Sequence, residues 1–292
     1  MMRNLFVRHA SAALLCVGAT LAVGACGSST DTSSKTAAAS ASASKCSKDS
    51  LPLHTAGVLT VATDAPAYSP YFVNNKPANG KGFESAVAYA IAEQLGFSHD
   101  EVKWTVEPFD SSYAPGPKSF DFDINEISIT PQREREVDFS VPYYTDPQAV
   151  IVAKSSPLAN AKSLAALKDA KIGVQIGTTS LEAVDDEIKP SRQPQVFNDS
   201  NDVVSAFKDH SVEAVVVDLA TGFELVSEEL SSGKIAGQFT APGGNNWGVL
   251  LAKDSALTPC VDRAVEKLRS DGTLANIETR WMKSAADVPE LH

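Results

Sequence analysis

Two spacings of apolar residues run along this chain and divide it into elements. In "GVLTVATD" a β-branched run up to Asp64 predicts a strand. Phe83, Ala86, Val87, Ala90, Ile91 and Leu95 recur at helical spacing and predict a helix that Gly96 ends. "VKWTVE" and "FDFDINEISIT" predict two further strands, separated by the Pro- and Gly-punctuated "SSYAPGPKS". A second series then runs from "QAVIVAK" (148–154) through helix "SLAALKDA", strand "KIGVQIG", helix "TTSLEAVDDEIK", short strand "QVFND" and helix "SNDVVSAFKDH" to strand "VEAVVVD", which ends at Asp218. "WGVLLAK" and two helices, within "SALTPCVDRAVEKLRSDG" and "TLANIETRWMK", follow it. The repeated strand, helix, strand order predicts an α/β class. "AVIVAK" and "GVLLAK" flank the second series, as two hinge strands would if the chain left one lobe, built another and returned.

Before the first strand the pattern is of a different kind. Arg3 and Arg8 precede an apolar run of small residues that is short for a membrane span, the form of a secretory signal over residues 1–25. Its end, "LAVGAC", resembles the lipobox of bacterial lipoproteins, which implies cleavage before Cys26 and acylation of that residue. Residues 27–45, "GSSTDTSSKTAAASASASK", lack a large apolar side chain and cannot offset their ordering entropy. A lipidated flexible linker over 26–50 is the expectation, with a reach of roughly 25 Å from the bilayer. Beyond it, 51–150 is expected to form the first part of one lobe, 151–245 the second lobe, and 246–292 the return to the first.

Charge narrows the choice of partners. The chain has 25 Lys and Arg against 36 Asp and Glu, a net −11, which becomes −13 once Arg3 and Arg8 leave with the leader. So acidic a body is a poor match for nucleic acid or anionic lipid, which leaves the lipid on Cys26 as the membrane attachment. Four cysteines are present. With Cys16 in the leader and Cys26 acylated, Cys46 and Cys260 remain, and outside a reducing compartment they are expected to form a disulfide rather than stay as two free thiols. Closing so long a loop is worth about 4–5 kcal/mol in the chain-entropy description.

Six stretches, in order, resemble segments of the extracytoplasmic solute-binding proteins that serve polar-amino-acid ABC importers. They are "LTVATDAPAYSPYF", "GKGFESAVAYAIAEQLGF", "ISITPQREREVDFSVPYY", "KIGVQIGTTS", "VEAVVVD" and "ALTPCVDRAVEKLRSDGTLANIETRW", and they extend over about residues 55–283. The Thr-Pro-x-Arg turn before "VDFSVPYY" and the Gly-Thr-Thr after a strand carry most of the likeness. It implies the two-lobed type II periplasmic-binding-protein fold with two hinge strands, a free amino acid as ligand, ABC permease subunits as partner, a monomer, and neither cofactor nor metal.

The chemistry of such a ligand is two permanent charges, so a specific site needs a cation for the carboxylate and an anion for the ammonium. Arg133 suits the first because a guanidinium pairs with both carboxylate oxygens. Within "RERE" an exposed, salt-bridged turn is the competing description, and Arg135 fits it. Thr178 and Thr179 stand where a strand passes into a helix, a place for anions or for a plain helix cap. Asp218 ends an apolar strand at the sheet edge where ligands gather in open α/β folds, though it could instead cap "LATGFELV". By the resemblance, Asp218 takes the ammonium with help from Ser128. Asp64 ends the first strand and Tyr68 follows in a loop that looks one residue longer than the family form, so this aromatic lid could be displaced. Phe109 and Tyr113 both remain open as the second aromatic wall.

Glu126 departs from the family, standing where many relatives have a small residue. With Asp64, Glu126 and Asp218 facing Arg133, the empty site would hold −2, and a cationic side chain would reduce that to −1. Uncompensated buried charge is costly, so lysine, arginine or ornithine is favoured, with neutral polar ligands such as glutamine in contention if Glu126 turns aside. The rival functions are a periplasmic enzyme on the same fold, of cyclohexadienyl-dehydratase type, and a ligand sensor. None of the five histidines falls in the cleft motifs, and Gly-x-Ser-x-Gly and His-Glu-x-x-His are absent, which weakens hydrolase and metalloenzyme readings.

Overall fold

Short runs of apolar and β-branched residues form the strands. Along the chain these are β1 (Leu59–Thr63), β2 (Val102–Val106), β3 (Phe122–Asp123), β4 (Val137–Phe139), β5 (Tyr144–Thr145), β6 (Gln148–Ala153), β7 (Ile172–Gln175), β8 (Gln195–Phe197), β9 (Ala214–Asp218), β10 (Gly233–Phe239), β11 (Asn246–Trp247) and β12 (Leu250–Ala252). The helices that frame them are α1 (Phe83–Gln94), a turn α2 (Phe109–Ser112), α3 (Thr179–Ala183), α4 (Ser200–Lys208), α5 (Leu219–Glu224), α6 (Thr258–Ser270) and α7 (Thr273–Trp281). The computed structural model describes residues 46–241, 243, 245–283 and 287–292, so the expected leader, Cys16, Cys26 and the linker up to residue 45 lie outside the described residues. Among the described residues no helix is long and apolar enough to cross a membrane.

The strands form two five-stranded mixed sheets, ordered β2-β1-β3-β12-β4 and β10-β6-β9-β7-β8. In the first, β1 pairs parallel with β2 and β3 while β12 runs antiparallel to β3 and β4. The second has β7 parallel to β8 and β9, with β6 antiparallel to both β9 and β10. Each sheet belongs to one lobe. The first lobe's core gathers Leu59, Val61 and Phe122 of the sheet with Val87 and Ile91 of α1, Val261 and Val265 of α6, and Leu274 of α7. Val150, Val152, Ile172, Ala214 and Val216 anchor the second.

Helix α1 buries Phe83, Glu84, Ser85, Val87, Ala88, Ile91 and Ala92, so its inner face is rotated relative to the apolar stripe and takes in a glutamate. The residue after its C-cap, Gly96, has φ 89°, the left-handed conformation that ends helices. Cys46 and Cys260 are joined as a disulfide that pins the start of the body to α6.

The hinge lies elsewhere than expected. Neither "AVIVAK" nor "GVLLAK" crosses between lobes: β6 sits inside the second sheet and β12 inside the first. A strand as buried as β6, whose first five residues are all covered, needs a partner on each side, and β10 and β9 supply them. The crossing strands are instead β5 and β11, which pair antiparallel through Asn246–Thr145 and Trp247–Tyr144. Trp247 is fully buried, with Tyr144 at 5.0 Å and Tyr71 at 5.6 Å between ring centroids. Such aromatic pairs add about 0.5–1.5 kcal/mol each to the burial itself. The second sheet therefore starts at Gln148, ahead of the expected 151.

Two further differences follow from pairing that local pattern does not reveal. β10 gives the second sheet an edge that the apolar pattern leaves unmarked. The chain's last residues, expected with the first lobe, lie on the second: Glu290 bridges Gln238, and Leu291 is buried in the second core because it fills the space beside Gly237. "SLAALKDA" forms only a 3-10 turn, Leu164–Leu167. The expected strand "FDFDINEISIT" is split into β3 and a single bridge from Ser128 to Trp247, since Glu126 takes φ 49° and breaks the extended run.

Candidate functional site

The carboxyl end of β1, the segment after β3, the start of α3 and the end of β9 meet in one interlobe cleft. Its lining includes Asp64, Tyr68, Phe109, Asn125, Glu126, Ser128, Arg133, Gln175, Thr178, Thr179, Ser180, Ser200, Asp218 and Thr221, around a cavity of about 90 Å³. A second cavity of about 180 Å³ adjoins it and shares Tyr68, Glu126, Ser200, Thr221 and Leu225. All eight residues expected from the sequence line the cleft.

The two arginines of the "RERE" turn part company. Arg133 opens the 3-10 turn Arg133–Arg135 and is 6% exposed. Its Nη1 donates to the Ser128 carbonyl at 2.8 Å and its Nη2 to the Gly177 carbonyl at 3.0 Å, one contact in each lobe. Phe109 and Tyr113 flank the guanidinium at 5.4 and 4.5 Å from their ring centroids. Burial lowers the Arg133 pKa, yet a guanidinium starts so far above neutrality that it stays charged. Arg135 is exposed and reaches only the Pro131 carbonyl.

Of the two candidate aromatic walls, Phe109 lines the cleft. Tyr113 lines a cavity on the far side of Arg133 and donates to Asp110 and to the Gly177 carbonyl. Tyr68 borders both cavities and accepts from Asn201 Nδ2 at 2.9 Å across the lobes. Ser128 and Thr179 hydroxyls lie 3.2 Å apart, and Tyr71 meets Thr221 at 2.8 Å. Together with the contacts to Gly177, these hold the lobes closed. Gly177 has φ 71°, and an added Cβ there would stand 2.6 Å from the Tyr113 oxygen, so the close approach requires glycine.

On the second lobe, Thr178 caps α3 by accepting from the Leu181 N–H, while its hydroxyl donates to the Gln175 carbonyl. Capping and a place in the cleft coexist at this residue. Asp218 occupies the N-cap position of α5 without making a side-chain cap. Its Oδ1 instead accepts from Gln148 Nε2, whose amide oxygen accepts from Ser180 Oγ. Burial pushes the Asp218 carboxyl up to about 7; the Gln148 bond and the Arg133 charge pull the other way. Asp64 is also raised by burial, although its Oδ1 accepts from the Ala65 N–H.

Glu126 does not turn aside. Its backbone N–H donates to Glu84 Oε1 at 2.7 Å, and its carboxyl faces the carboxyl of Glu84, which is fully buried and also accepts from Tyr143 Oη. Burial raises both acids, and their proximity raises Glu126 further. A proton kept by this pair makes the empty cleft less negative than a formal count of Asp64, Glu126, Asp218 and Arg133. Glu84 and Asn125 are candidate site residues that the sequence pattern does not bring forward. Asn125 is 8% exposed, lines the cleft and keeps a buried Nδ2 without a hydrogen-bond partner. The one signal for Glu84 was its charge at the edge of an apolar helical stripe. Among the described residues no group of His, Cys, Asp and Glu is arranged to hold a metal ion.

The family model described as bacterial extracellular solute-binding proteins, family 3, matches residues 59–284. ABC transporter arginine-binding protein 1 of Escherichia coli (strain K12) is 28% identical over 205 residues, which is 68% of this chain and 81% of that protein. An ancestral arginine-binding protein bound to arginine superposes with a TM-score of 0.66 at 32% identity, covering 78% of this chain and 99% of that one. An ancestral arginine-binding protein bound to glutamine gives 0.66 at 31% identity with the same coverage.

Proposed function

The chain belongs to the bacterial extracellular solute-binding proteins, family 3, and from that premise we propose that it captures a free amino acid with a cationic side chain for an ABC importer. The observation that carries this reading is the opposition of Arg133 and Asp218 in one interlobe cavity whose lining also holds Asp64 and Glu126. The ligand carboxylate exchanges for the carbonyl oxygens now held by Arg133 and is completed by Thr178 and Thr179. Its ammonium meets Asp218, with Ser128 beside it. The side chain runs between Tyr68 and Phe109 toward Asp64 and Glu126, whose carboxyls suit lysine, ornithine or arginine better than glutamine.

Closure works as signal because the ligand touches both lobes and so binds the closed form better than the open one. The closed form is what a permease would recognise, and the chain itself catalyses nothing, acting as a monomer tethered outside the cell through an acylated Cys26.

A thermal-shift screen of the full chain against the twenty amino acids, ornithine and citrulline tests this. A ligand at about a thousand times its Kd stabilises by about 4 kcal/mol. For a body of this size that is a rise of roughly 8–16 °C. Arginine, lysine or ornithine is expected to exceed glutamine and citrulline; a larger rise with glutamine overturns the cationic preference. No shift with any amino acid overturns the receptor reading, and turnover of prephenate or arogenate would move the chain to the enzyme class.

A further inference from the structure

The least expected arrangement in the cleft is a pair of carboxyls, one on α1 and one 42 residues later. Glu84 is 0% exposed. Its Oε1 accepts from the Glu126 N–H and from Tyr143 Oη, and so is well provided with donors. Its Oε2 is buried and meets no donor of the protein other than a proton the two acids can share. The pair is built at the expense of the local backbone: Glu126 holds φ 49°, a left-handed conformation disfavoured for a side chain of this size, and thereby presents its N–H to Glu84. Glu126 in turn borders both the cleft and its neighbouring cavity.

We infer that Glu84 is a specificity-determining partner of Glu126: the two acids hold one proton in the empty site, and a cationic ligand side chain enters by exchanging for that proton. The inference rests on the receptor reading above. Two anions side by side in a buried site repel, so the empty pair keeps one proton. With Tyr143 and a backbone N–H on Glu84, the negative charge settles there and the proton on Glu126. When a guanidinium or ammonium arrives, the Glu126 proton leaves to solvent, both carboxyls are ionised, and the net charge of the buried region is the same as before. A neutral side chain offers nothing to replace the proton, so it finds a protonated Glu126 and no countercharge. Selection for a cation thus comes from the pair, with Glu84 acting through Glu126 and not by touching the ligand.

Other groups face the pair from every side: Asp64 after β1, Asp123 on β3, Asp218 at the end of β9, and Tyr68, Tyr71 and Tyr143. Asp218 also titrates near neutrality, but it meets the ammonium common to all amino acids. The informative quantity is therefore the difference between ligands.

Isothermal titration calorimetry of the full chain at pH 7, in phosphate and in Tris, counts protons from the dependence of heat on buffer. L-Arginine is expected to release about one proton more than L-glutamine. As the pH falls, the arginine affinity should drop by up to about tenfold per unit more than that of glutamine. Glu84→Gln keeps an acceptor for the Glu126 N–H and offers an amide donor to its carboxylate, so it should abolish the extra proton while leaving arginine binding measurable. Should that variant fail to fold, Glu126→Gln carries the test, with the same loss of the extra proton. Equal proton counts for arginine and glutamine in the unmodified chain overturn the inference and leave the receptor reading standing. Failure of every amino acid to bind overturns both.

Discussion

Asp218→Asn separates what the site needs from what the fold prefers. An aspartate titrating at about 7 in the folded chain, against an ordinary 3.8, holds its proton more tightly when folded than when unfolded. Its ionised form therefore penalises folding: the penalty is absent below about pH 4, grows between the two values, and is complete above about 7. At 1.36 kcal/mol per pH unit, the gap is on the order of 4 kcal/mol at pH 8. Asparagine carries no charge at any of these pH values, and its carbonyl can still accept from Gln148 Nε2. Part of the relief reaches Asp146, whose carboxyl is raised by burial and by the Asp218 charge while it accepts from the Ala220 N–H. The ligand-free variant should thus be more stable than the unmodified chain by a few kcal/mol at pH 8, with the advantage shrinking toward zero at pH 4. Urea unfolding midpoints at pH 8, 6 and 4, on protein freed of ligand by unfolding and refolding, measure this. Equal stability at pH 8, or an advantage that does not change with pH, would refute the reasoning. The same variant should lose amino-acid binding, since the ammonium no longer meets a carboxylate.

Arg133→Lys keeps the positive charge but removes the fork that reaches Ser128 and Gly177 together, and with it the paired grip on a ligand carboxylate, in which each hydrogen bond to a charged group is worth about 1.5–3 kcal/mol. Arginine affinity by calorimetry should fall by roughly two to three orders of magnitude, and a loss below tenfold would remove Arg133 from the site. Gly177→Ala places a Cβ against Tyr113 at a left-handed φ. Because that Cβ would meet Asp110 Oδ1 and Tyr113 Oη of the other lobe, it should weaken ligand binding about tenfold or more by opposing closure, which small-angle scattering with and without arginine can follow. Replacing Cys46 and Cys260 by serine should lower unfolding free energy by about 2–5 kcal/mol while arginine affinity stays within about twofold, because neither residue lines the cleft. An affinity change larger than the stability change would place the disulfide in the closure step.

Local pattern was enough for much of the framework. β1, α1, β7, α4, β9 and the last two helices follow from spacing and end signals that act within a few residues. Charge type and position at strand ends brought Asp64, Arg133 and Asp218 forward, and the choice between Arg133 and Arg135 needed the family motif because both occupy one polar turn. The hinge could not be read in this way. β6 and β12 look alike as apolar runs, yet one is interior to each sheet, and only the pairing of β5 with β11 shows where the chain crosses. Leu291 reads as a stray apolar residue until Gly237 supplies the space it fills.

By itself the sequence determined the α/β class and most of the order of elements, and it brought forward the residues proposed to meet a zwitterion. Each depends on chemistry carried by a residue or its near neighbours. The tertiary structure alone decided which charges share a solvent-excluded volume: Glu84 with Glu126, Gln148 with Asp218, Gly177 with Arg133 and Tyr113. A carboxyl's proton affinity is set by what lies within a few ångströms of it, and those neighbours come from distant parts of the chain: the first two groupings form when each lobe folds, and the third only where the two lobes meet.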